Sequence, residues 1–274
     1  MHYLSFIWDP SEGIDLGFFM IRYYSLMFVV AFTLGWFIMK RIFLNEGVSL
    51  EKLDSLFIYT VIATLVGARL GHVIFYEPEI FSRDPLSVFL PFKTVPEFEF
   101  TGFRGLASHG AAIAIIIAMF MFSKKVMKKH VLWILDRVVI AVACGAIFVR
   151  IGNFVNSEII GKATQSDYGV VFKQLGEDFP RHPAQLYESF GYVFVFLILW
   201  LIYWKTDKRK YQGYLFGLFL IMLWTVRFFV EFVKEVQVDE RADWILNTGQ
   251  WLSVPFILAG LYFMIRSSKK NEAS

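Results

Sequence analysis

Long apolar runs with almost no charge alternate with short polar connections along the whole chain. A helix needs about 17 to 25 such residues to cross a bilayer. This pattern predicts seven spans, at residues 18–39, 53–75, 106–122, 131–149, 186–204, 214–232 and 251–265. No internal repeat or soluble segment interrupts the pattern. We therefore expect an all-α polytopic membrane protein in which residues 1–274 form a single membrane-embedded domain.

Lysine and arginine are concentrated in every second connection. Cytoplasmic connections of membrane proteins carry an excess of these residues, so the basic ends are predicted to be cytoplasmic, with the N-terminus outside and the C-terminus inside. The first run ends at Lys40 and Arg41 without a small-residue cleavage site, which predicts a retained span. The basic ends contain Lys40, Arg41, Lys52, Lys124, Lys125, Lys128, Lys129, Lys205, Lys208, Arg209, Lys210, Arg266, Lys269 and Lys270.

Two of the predicted outer connections are long, and long connections often carry function. The connection 77–105 mixes four prolines with short apolar stretches, which favours an element along the membrane interface. The connection 151–185 is the most polar part of the chain, and we expect it to form an element on the outer side of the membrane.

Composition agrees with this interpretation. Of the 274 residues, 57% are hydrophobic and 19% aromatic, and the mean hydropathy of +0.53 excludes a disordered chain or a disulfide scaffold. The net charge of +3 comes from the basic connections and does not indicate nucleic-acid binding. One cysteine, Cys144, allows no intramolecular disulfide, and the histidines form no metal-ligand motif, so no metal or cofactor is predicted.

Ionisable groups inside spans are costly and therefore informative. Arg150 is followed by Asn153, Asn156 and Glu158, a polar series that offers many donors to an anionic, oxygen-rich group. Arg227 and Glu231 are four residues apart and share a helix face. Both sets also have a structural explanation. The series that begins at Arg150 can be a polar helix end, and Arg227 with Glu231 can be a neutralising ion pair.

Three further residues lie toward the predicted outer ends of other spans, namely Tyr24, His109 and Glu188. Tyr24 alone fits an aromatic belt, and His109 alone fits a structural histidine. Together with Arg150 and Arg227 they come from five spans at one depth. We therefore predict a polar chamber facing the outer leaflet that binds an anionic phospholipid and transfers a proton.

Two other polar pairs favour a structural interpretation. Arg69 and His72 share a face beside Gly67 and Gly71, whose spacing allows another helix to approach closely. The adjacent Asp136 and Arg137 lie near a predicted cytoplasmic end, where their charged ends would reach the interface.

At these positions the chain resembles the prolipoprotein diacylglyceryl transferase family. The most specific part is RIGNFVNSE at 150–158 together with Gly161. Supporting matches are RYYSLM at 22–27, GARLG at 67–71, RHPAQLYE at 181–188, Arg227 to Glu231, and GQWLS at 249–253.

The resemblance implies transfer of the diacylglyceryl group of phosphatidylglycerol to the lipobox cysteine of a prolipoprotein in the bacterial cytoplasmic membrane. It also implies seven spans with an outside N-terminus. By this resemblance Arg150 and Arg227 become the essential arginines. The thiol must lose its proton, and our own hypothesis is that His109 is the base; the alternative is that the positive field of the arginines lowers the thiol pKa without a base. Tyr24, His109, Asn153, Glu158 and Gly161 complete the family set, and of these we expect Tyr24 to be catalytic with His109 and the two arginines. The expected lipid-binding residues are Arg150, Asn153, Asn156, Glu158, Gly161, Glu188, Arg227 and Glu231.

The chain departs from the family pattern at two positions. Ala111 replaces the second glycine of a His-Gly-Gly motif, and Lys234 stands where the family tends to carry an arginine. A lysine cannot make a bidentate phosphate contact. Two other functions stay open at this point: an anion transporter or lipid binder without chemistry, and an intramembrane protease that uses Ser108 and His109.

Overall fold

The structure is a computed structural model that describes residues 6–17, 20–90, 92–95, 97–100, 105–235 and 246–271. Most of these residues are helical. The helices are α1 (Tyr23–Asn45), α2 (Leu50–Tyr76), α3 (Ile80–Arg83), α4 (Ser108–Phe122), α5 (Val131–Val155), α6 (Ala184–Lys205), α7 (Tyr214–Val230) and α8 (Thr248–Asn271).

Six of these helices are long and apolar enough to cross a membrane: α1, α2, α4 with its continuation to Met127, α5, α6 and α8. The seventh apolar helix, α7, has 17 residues and is about 26 Å long at 1.5 Å per residue. It ends at Val230, two residues before the predicted end. The prediction of seven spans stays a prediction.

The predicted start of the first span is wrong. Residue 18 lies outside the described residues, and α1 begins only at Tyr23 because the chain before it is extended. Strand β3 (Met20–Arg22) pairs antiparallel with β2 (Gly13–Asp15). The Tyr23 N–H donates to the Glu12 carbonyl at 3.1 Å, so the hairpin leads directly into the helix.

Two more short sheets lie in the long connections. Strand β1 (Phe6–Trp8) pairs parallel with β6 (Val170–Phe172), and β4 (Phe92–Lys93) pairs antiparallel with β5 (Glu99–Phe100). The Trp8 indole donates to the Phe154 carbonyl at 3.0 Å, and its ring packs on that of Phe154 with centroids 4.6 Å apart. Phe154 also packs on Phe172 in a small buried cluster. This cluster fixes the end of α5, where Arg150 and Asn153 lie.

The chain forms two compact units. The continuous unit is Lys40–Ile134, and the discontinuous unit combines Met1–Met39 with Leu135–Ser274.

In the continuous unit, α2 packs against α4 through glycines, as the spacing of Gly67 and Gly71 predicted. A Cβ at Gly110 would lie 2.6 Å from the Gly71 Cα, closer than a side chain permits. Arg69 donates to the carbonyls of Ser87 at 2.8 Å and Val88 at 3.3 Å. Arg69 therefore anchors the connection 77–105 on α2 and has a structural role.

In the discontinuous unit, α7 packs on α8 at Gly217 and Gly260, where each added Cβ would lie 2.6 Å from the other residue's carbonyl oxygen. The rings of Trp224 and Phe256 stack nearby with centroids 4.2 Å apart. These contacts hold the helix that carries Arg227.

The expectation that Asp136 and Arg137 reach the interface is wrong, because both are buried. Asp136 accepts hydrogen bonds from the backbone N–H groups of Gly213 at 2.7 Å and Phe216 at 2.9 Å. Arg137 donates to the Arg209 carbonyl at 3.2 Å. Asp136 therefore caps the N-terminus of α7 from another helix and satisfies donors that a helix start leaves free.

The glycine contact in the continuous unit can be tested by adding one methyl group. We expect Gly110→Ala to destabilise the protein by about 1–3 kcal/mol, because the new Cβ meets backbone that cannot move aside. Thermal unfolding in detergent measures this effect. The matched control is Gly35→Ala, whose Cβ would lie 3.7 Å from that of Ala141, an ordinary contact. Equal melting temperatures for the two variants would contradict the prediction.

Candidate functional site

Arg150 lies near the end of α5 and is held by side chains from two helices. Its Nη1 donates to Oδ1 of Asn153, one turn further along α5, at 3.0 Å. Its Nε forms an ion pair with Glu188 of α6. Because both contacts use defined edges of the guanidinium, the orientation of this planar group is fixed.

Glu188 is shared between two cations. It is fully buried, and its Oε1 accepts a hydrogen bond from the Lys234 ammonium at 2.7 Å, while Oε2 faces Arg150. Lys234 is only 4% exposed and lies 3.3 Å from Oε2 of Glu231. Buried charges require partners of this kind, since an isolated one would be strongly destabilising.

Arg227 differs from Arg150 and Lys234 in its contacts. It lies on the last turn of α7, with its guanidinium 5.2 Å from the centre of the Trp224 ring. Within the described part of the chain it has no carboxylate partner, and its buried Nε has no hydrogen-bond acceptor. The ion pair of Arg227 with Glu231 considered above is not formed, because Glu231 pairs with Lys234.

Tyr192 connects these groups. It is 3% exposed and close enough to Arg150, Glu188 and Arg227 to interact electrostatically with all three. It lies four residues after Glu188 on α6, so the two side chains share a helix face. The two arginines are thus linked through Tyr192 into one cluster.

The remaining residues of the polar series bond mainly to one another. Glu158 accepts from the Asn153 amide at 3.2 Å and from the Asn156 amide at 3.0 Å. Its backbone carbonyl accepts from Gln185 of α6 at 2.5 Å. The Tyr24 hydroxyl of α1 lies beside Asn153 and close to Arg150 and Glu158. The asparagines therefore position Glu158 and Arg150 and use part of their donor capacity in doing so.

Gly161 lies where backbone segments meet. Its N–H donates to the His182 carbonyl at 2.9 Å, and a Cβ here would lie 2.8 Å from the Val233 carbonyl oxygen. Its own carbonyl accepts from Arg181 at 3.2 Å. Hydrogen bonds to Glu177 raise the pKa of the Arg181 guanidinium above its ordinary value. Gly161 is thus a backbone constraint on the segment that follows Glu158.

Glu231 is held by the start of α8, which explains the glycine in the motif at 249–253. A Cβ at Gly249 would lie 2.6 Å from Oε2 of Glu231. The Asn247 amide donates to the Glu231 carbonyl at 2.9 Å. This region therefore supports the lysine that pairs with Glu188.

His109 lies in the continuous unit, on the first turn of α4. It is exposed, and its ring packs against Phe75 and Tyr76, with centroids 5.0 and 5.9 Å away. It lines an open cavity of about 340 Å³ together with His72 and Ser108. The presence of His109 in the same chamber as the arginines stays a prediction.

Three buried participants were missed by the sequence analysis as site residues: Gln185, Tyr192 and Lys234. The i+4 spacing from Glu188 was a usable signal for Tyr192. Lys234 was noted only as a departure from a family pattern, and nothing in its local sequence indicated burial.

Apolar helices around a buried set of partnered charges define an integral membrane protein with a polar site between its helices. The profile of the prolipoprotein diacylglyceryl transferase family matches residues 12–266, and the chain belongs to this family.

Similar proteins include three named phosphatidylglycerol–prolipoprotein diacylglyceryl transferase. That of Tolumonas auensis is 40% identical over 258 residues, covering 94% of this chain and 95% of the relative. That of Bacteroides fragilis is 38% identical over 272 residues, covering 98% of both. That of Chloroherpeton thalassium is 36% identical over 266 residues, covering 97% of this chain and 95% of the relative.

Glu188→Gln tests the shared carboxylate. We expect a loss of about 3–5 kcal/mol in unfolding free energy, because Arg150 and Lys234 lose their common counter-charge while buried. Denaturation in a fixed detergent measures it. The double variant Glu188→Gln with Lys234→Met removes one buried cation as well and should recover part of this loss. A single variant as stable as wild type would show that the ion pairs do not hold the site.

Proposed function

We propose that this protein transfers the diacylglyceryl group of phosphatidylglycerol to the lipobox cysteine of prolipoproteins, the first step of bacterial lipoprotein maturation. The observation that carries the proposal is Arg227, a partly buried guanidinium without a carboxylate partner among the described residues, in one cluster with Arg150. Such a cation is suited to a phosphate oxygen. The names of the three relatives support the same substrates.

In the proposed reaction the cysteine sulfur attacks the lipid carbon bonded to the phosphate oxygen. A carbon–sulfur bond forms, the carbon–oxygen bond breaks, and glycerol phosphate leaves with the electron pair of that bond. Arg227 and the free donors of Arg150 bind the phosphodiester and stabilise the charge that grows on the leaving group. Stabilisation of this kind inside a site shielded from water is usually the largest contribution to catalysis.

The cysteine thiol has to lose its proton, because the thiolate is the nucleophile and an ordinary thiol pKa is about 8.5. His109 is the proposed base. Its exposed imidazole, in an open cavity at the start of α4, leaves room for a peptide thiol. Tyr24, Asn153, Asn156 and Glu158 orient Arg150, while Glu188, Glu231 and Gly161 maintain the framework around it.

The proposed setting is the bacterial cytoplasmic membrane. Seven spans, counting α7, place the N-terminus outside and the C-terminus in the cytoplasm, and they place Arg150 and Arg227 toward the outer leaflet. Residues 1–274 then act as one catalytic domain, with 77–105 at the interface and 151–185 on the periplasmic side. The basic connections support this orientation.

Arg227→Lys tests the anion contact with charge conserved. We expect transferase activity to fall about 10²- to 10³-fold, because an ammonium cannot reproduce the planar donor array of the guanidinium. The assay combines phosphatidylglycerol with a lipobox peptide in proteoliposomes and detects the diacylglyceryl mass gain by mass spectrometry. Arg266→Lys, on an exposed residue of α8, is the matched control and should retain activity.

The same assay separates the other functions. Wild-type protein that binds phosphatidylglycerol without modifying the peptide would be a lipid binder, and a shortened peptide would indicate a protease. Full activity of Arg227→Lys would overturn the assigned role of this residue.

His109→Ala tests the base. We expect a loss of about 10²- to 10⁴-fold near neutral pH, the range of general acid–base contributions. The loss should shrink as pH rises toward the thiol pKa, because the peptide then supplies its own thiolate. Rates measured from pH 6 to 9 give this profile. An unchanged rate across that range would exclude His109 as the base.

A further inference from the structure

A second cavity lies at the other end of α4, in the same continuous unit as His109. Its volume is about 400 Å³. Phe120 and Val131 provide apolar wall, while Lys124, Lys128, Lys129 and His130 provide the polar groups. None of these residues takes part in the proposed transfer reaction, so the cavity needs a separate explanation.

The backbone around this cavity is unusual. After Phe122 the α-helix widens into a single π-helical turn, Ser123–Met127, a feature that is frequent at functional sites. The Ser123 hydroxyl donates to the Lys129 carbonyl at 2.6 Å and closes the loop. The loop therefore has a defined shape, and its lysines extend from fixed backbone positions.

Lys128 ends the turn in the left-handed region, with φ of 54°. Glycine adopts this conformation at little cost, whereas a lysine is disfavoured there. Lys128 adopts this conformation where the helical turn ends, so its side chain leaves the backbone at a fixed position beside the cavity.

Among the described residues, the cations of this loop have no counter-charges paired with them. Lys124, Lys125 and Lys128 are exposed, and no carboxylate in the described ranges lies within ion-pair distance of them. The Lys129 ammonium lies 4.0 Å from the centre of the Trp133 ring.

The basic loop before α7 differs, because Lys210 pairs with Asp207 at 2.6 Å. The excess of basic residues at one side of a membrane protein explains lysines in both loops. It does not explain the cavity beside the loop that follows α4, where none of the described lysines forms an ion pair like that of Lys210.

We propose that this cavity binds the phosphate of an anionic phospholipid, with the lysines around the head group and an acyl chain along Phe120. Lysine is an effective phosphate ligand as a point charge, and Phe120 is 49% exposed beside the basic groups. In the proposed orientation this is the cytoplasmic leaflet. The bound lipid is held there and is not converted, so the site is separate from the Arg150 and Arg227 cluster in function.

The test compares lipid binding to the purified full-length chain by native mass spectrometry. The probe is phosphatidic acid, which carries a phosphate but lacks the glycerol head group of the proposed substrate, with phosphatidylcholine as the zwitterionic reference. We expect the double variant Lys124→Gln with Lys128→Gln to bind phosphatidic acid about 10- to 30-fold more weakly, since each basic group near a lipid surface contributes about fivefold. Phosphatidylcholine binding should not change.

The matched control is Lys205→Gln with Lys210→Gln, which removes the same charge from the other basic loop and should bind as wild type. Equal losses in both double variants would overturn the proposal, because the attraction would then be general electrostatics. Lys128→Gly relieves the backbone strain, so it should fold at least as stably as wild type and still bind more weakly. Wild-type affinity in Lys128→Gly would remove the role of this side chain.

Two further measurements identify the source of the phosphate and separate this proposal from the transferase assignment. Inorganic phosphate at millimolar concentration should not displace the lipid, because it makes no contact with Phe120. Displacement would identify a soluble-anion site and overturn the lipid assignment. The lysine double variant should retain transferase activity, and loss of that activity in a folded variant would show that the two sites are not separate.

Discussion

Glu188 occupies a position where a carboxylate without partners would not be stable. It is fully buried among apolar helices and is stabilised by Arg150 on one side and Lys234 on the other. The two cations are buried or nearly so and depend on Glu188 in the same way. This mutual dependence holds the end of α5, the start of α6 and the segment after α7 in one arrangement. Arg227 can then remain without an ion-pair partner among the described residues, because the neighbouring charged groups already pair with one another.

Much of the architecture could be predicted from the sequence because its cause is local. A run of apolar residues long enough to cross a bilayer has few alternatives to a helix, and the small residues at Gly67 and Gly71 indicated where another helix packs. The start of α1 could not be predicted in this way. Met20 and Ile21 are apolar enough to continue a helix. They instead form a strand with Arg22 that pairs with residues 13–15, and strand pairing depends on a partner that periodicity does not reveal.

The candidate site likewise contains residues that the sequence indicated and residues that it did not. Arg150, Glu188 and Arg227 stood out because charges are rare in apolar runs, and the structure brings them together around Tyr192. Tyr192 lies in a helix rich in aromatic residues, and only its i+4 spacing from Glu188 distinguished it from the others. Asp136 was judged by its nearness to a helix end, yet its partners are N–H groups of residues 213 and 216. The roles of Tyr192 and Asp136 depend on contacts between residues that are distant in sequence. These contacts cannot be read from one sequence without its fold.

The length of α7 has a consequence for the surrounding lipid. A 17-residue helix is shorter than the hydrocarbon core of a typical bilayer, which is about 30 Å thick. In the proposed seven-span arrangement this hydrophobic mismatch is relieved by local thinning of the bilayer beside α7 or by water that enters at its end. Arg227 lies on the last turn of this helix. A thinned leaflet would bring phospholipid head groups down to the depth of its guanidinium, so a substrate could reach the arginine without being lifted out of the membrane.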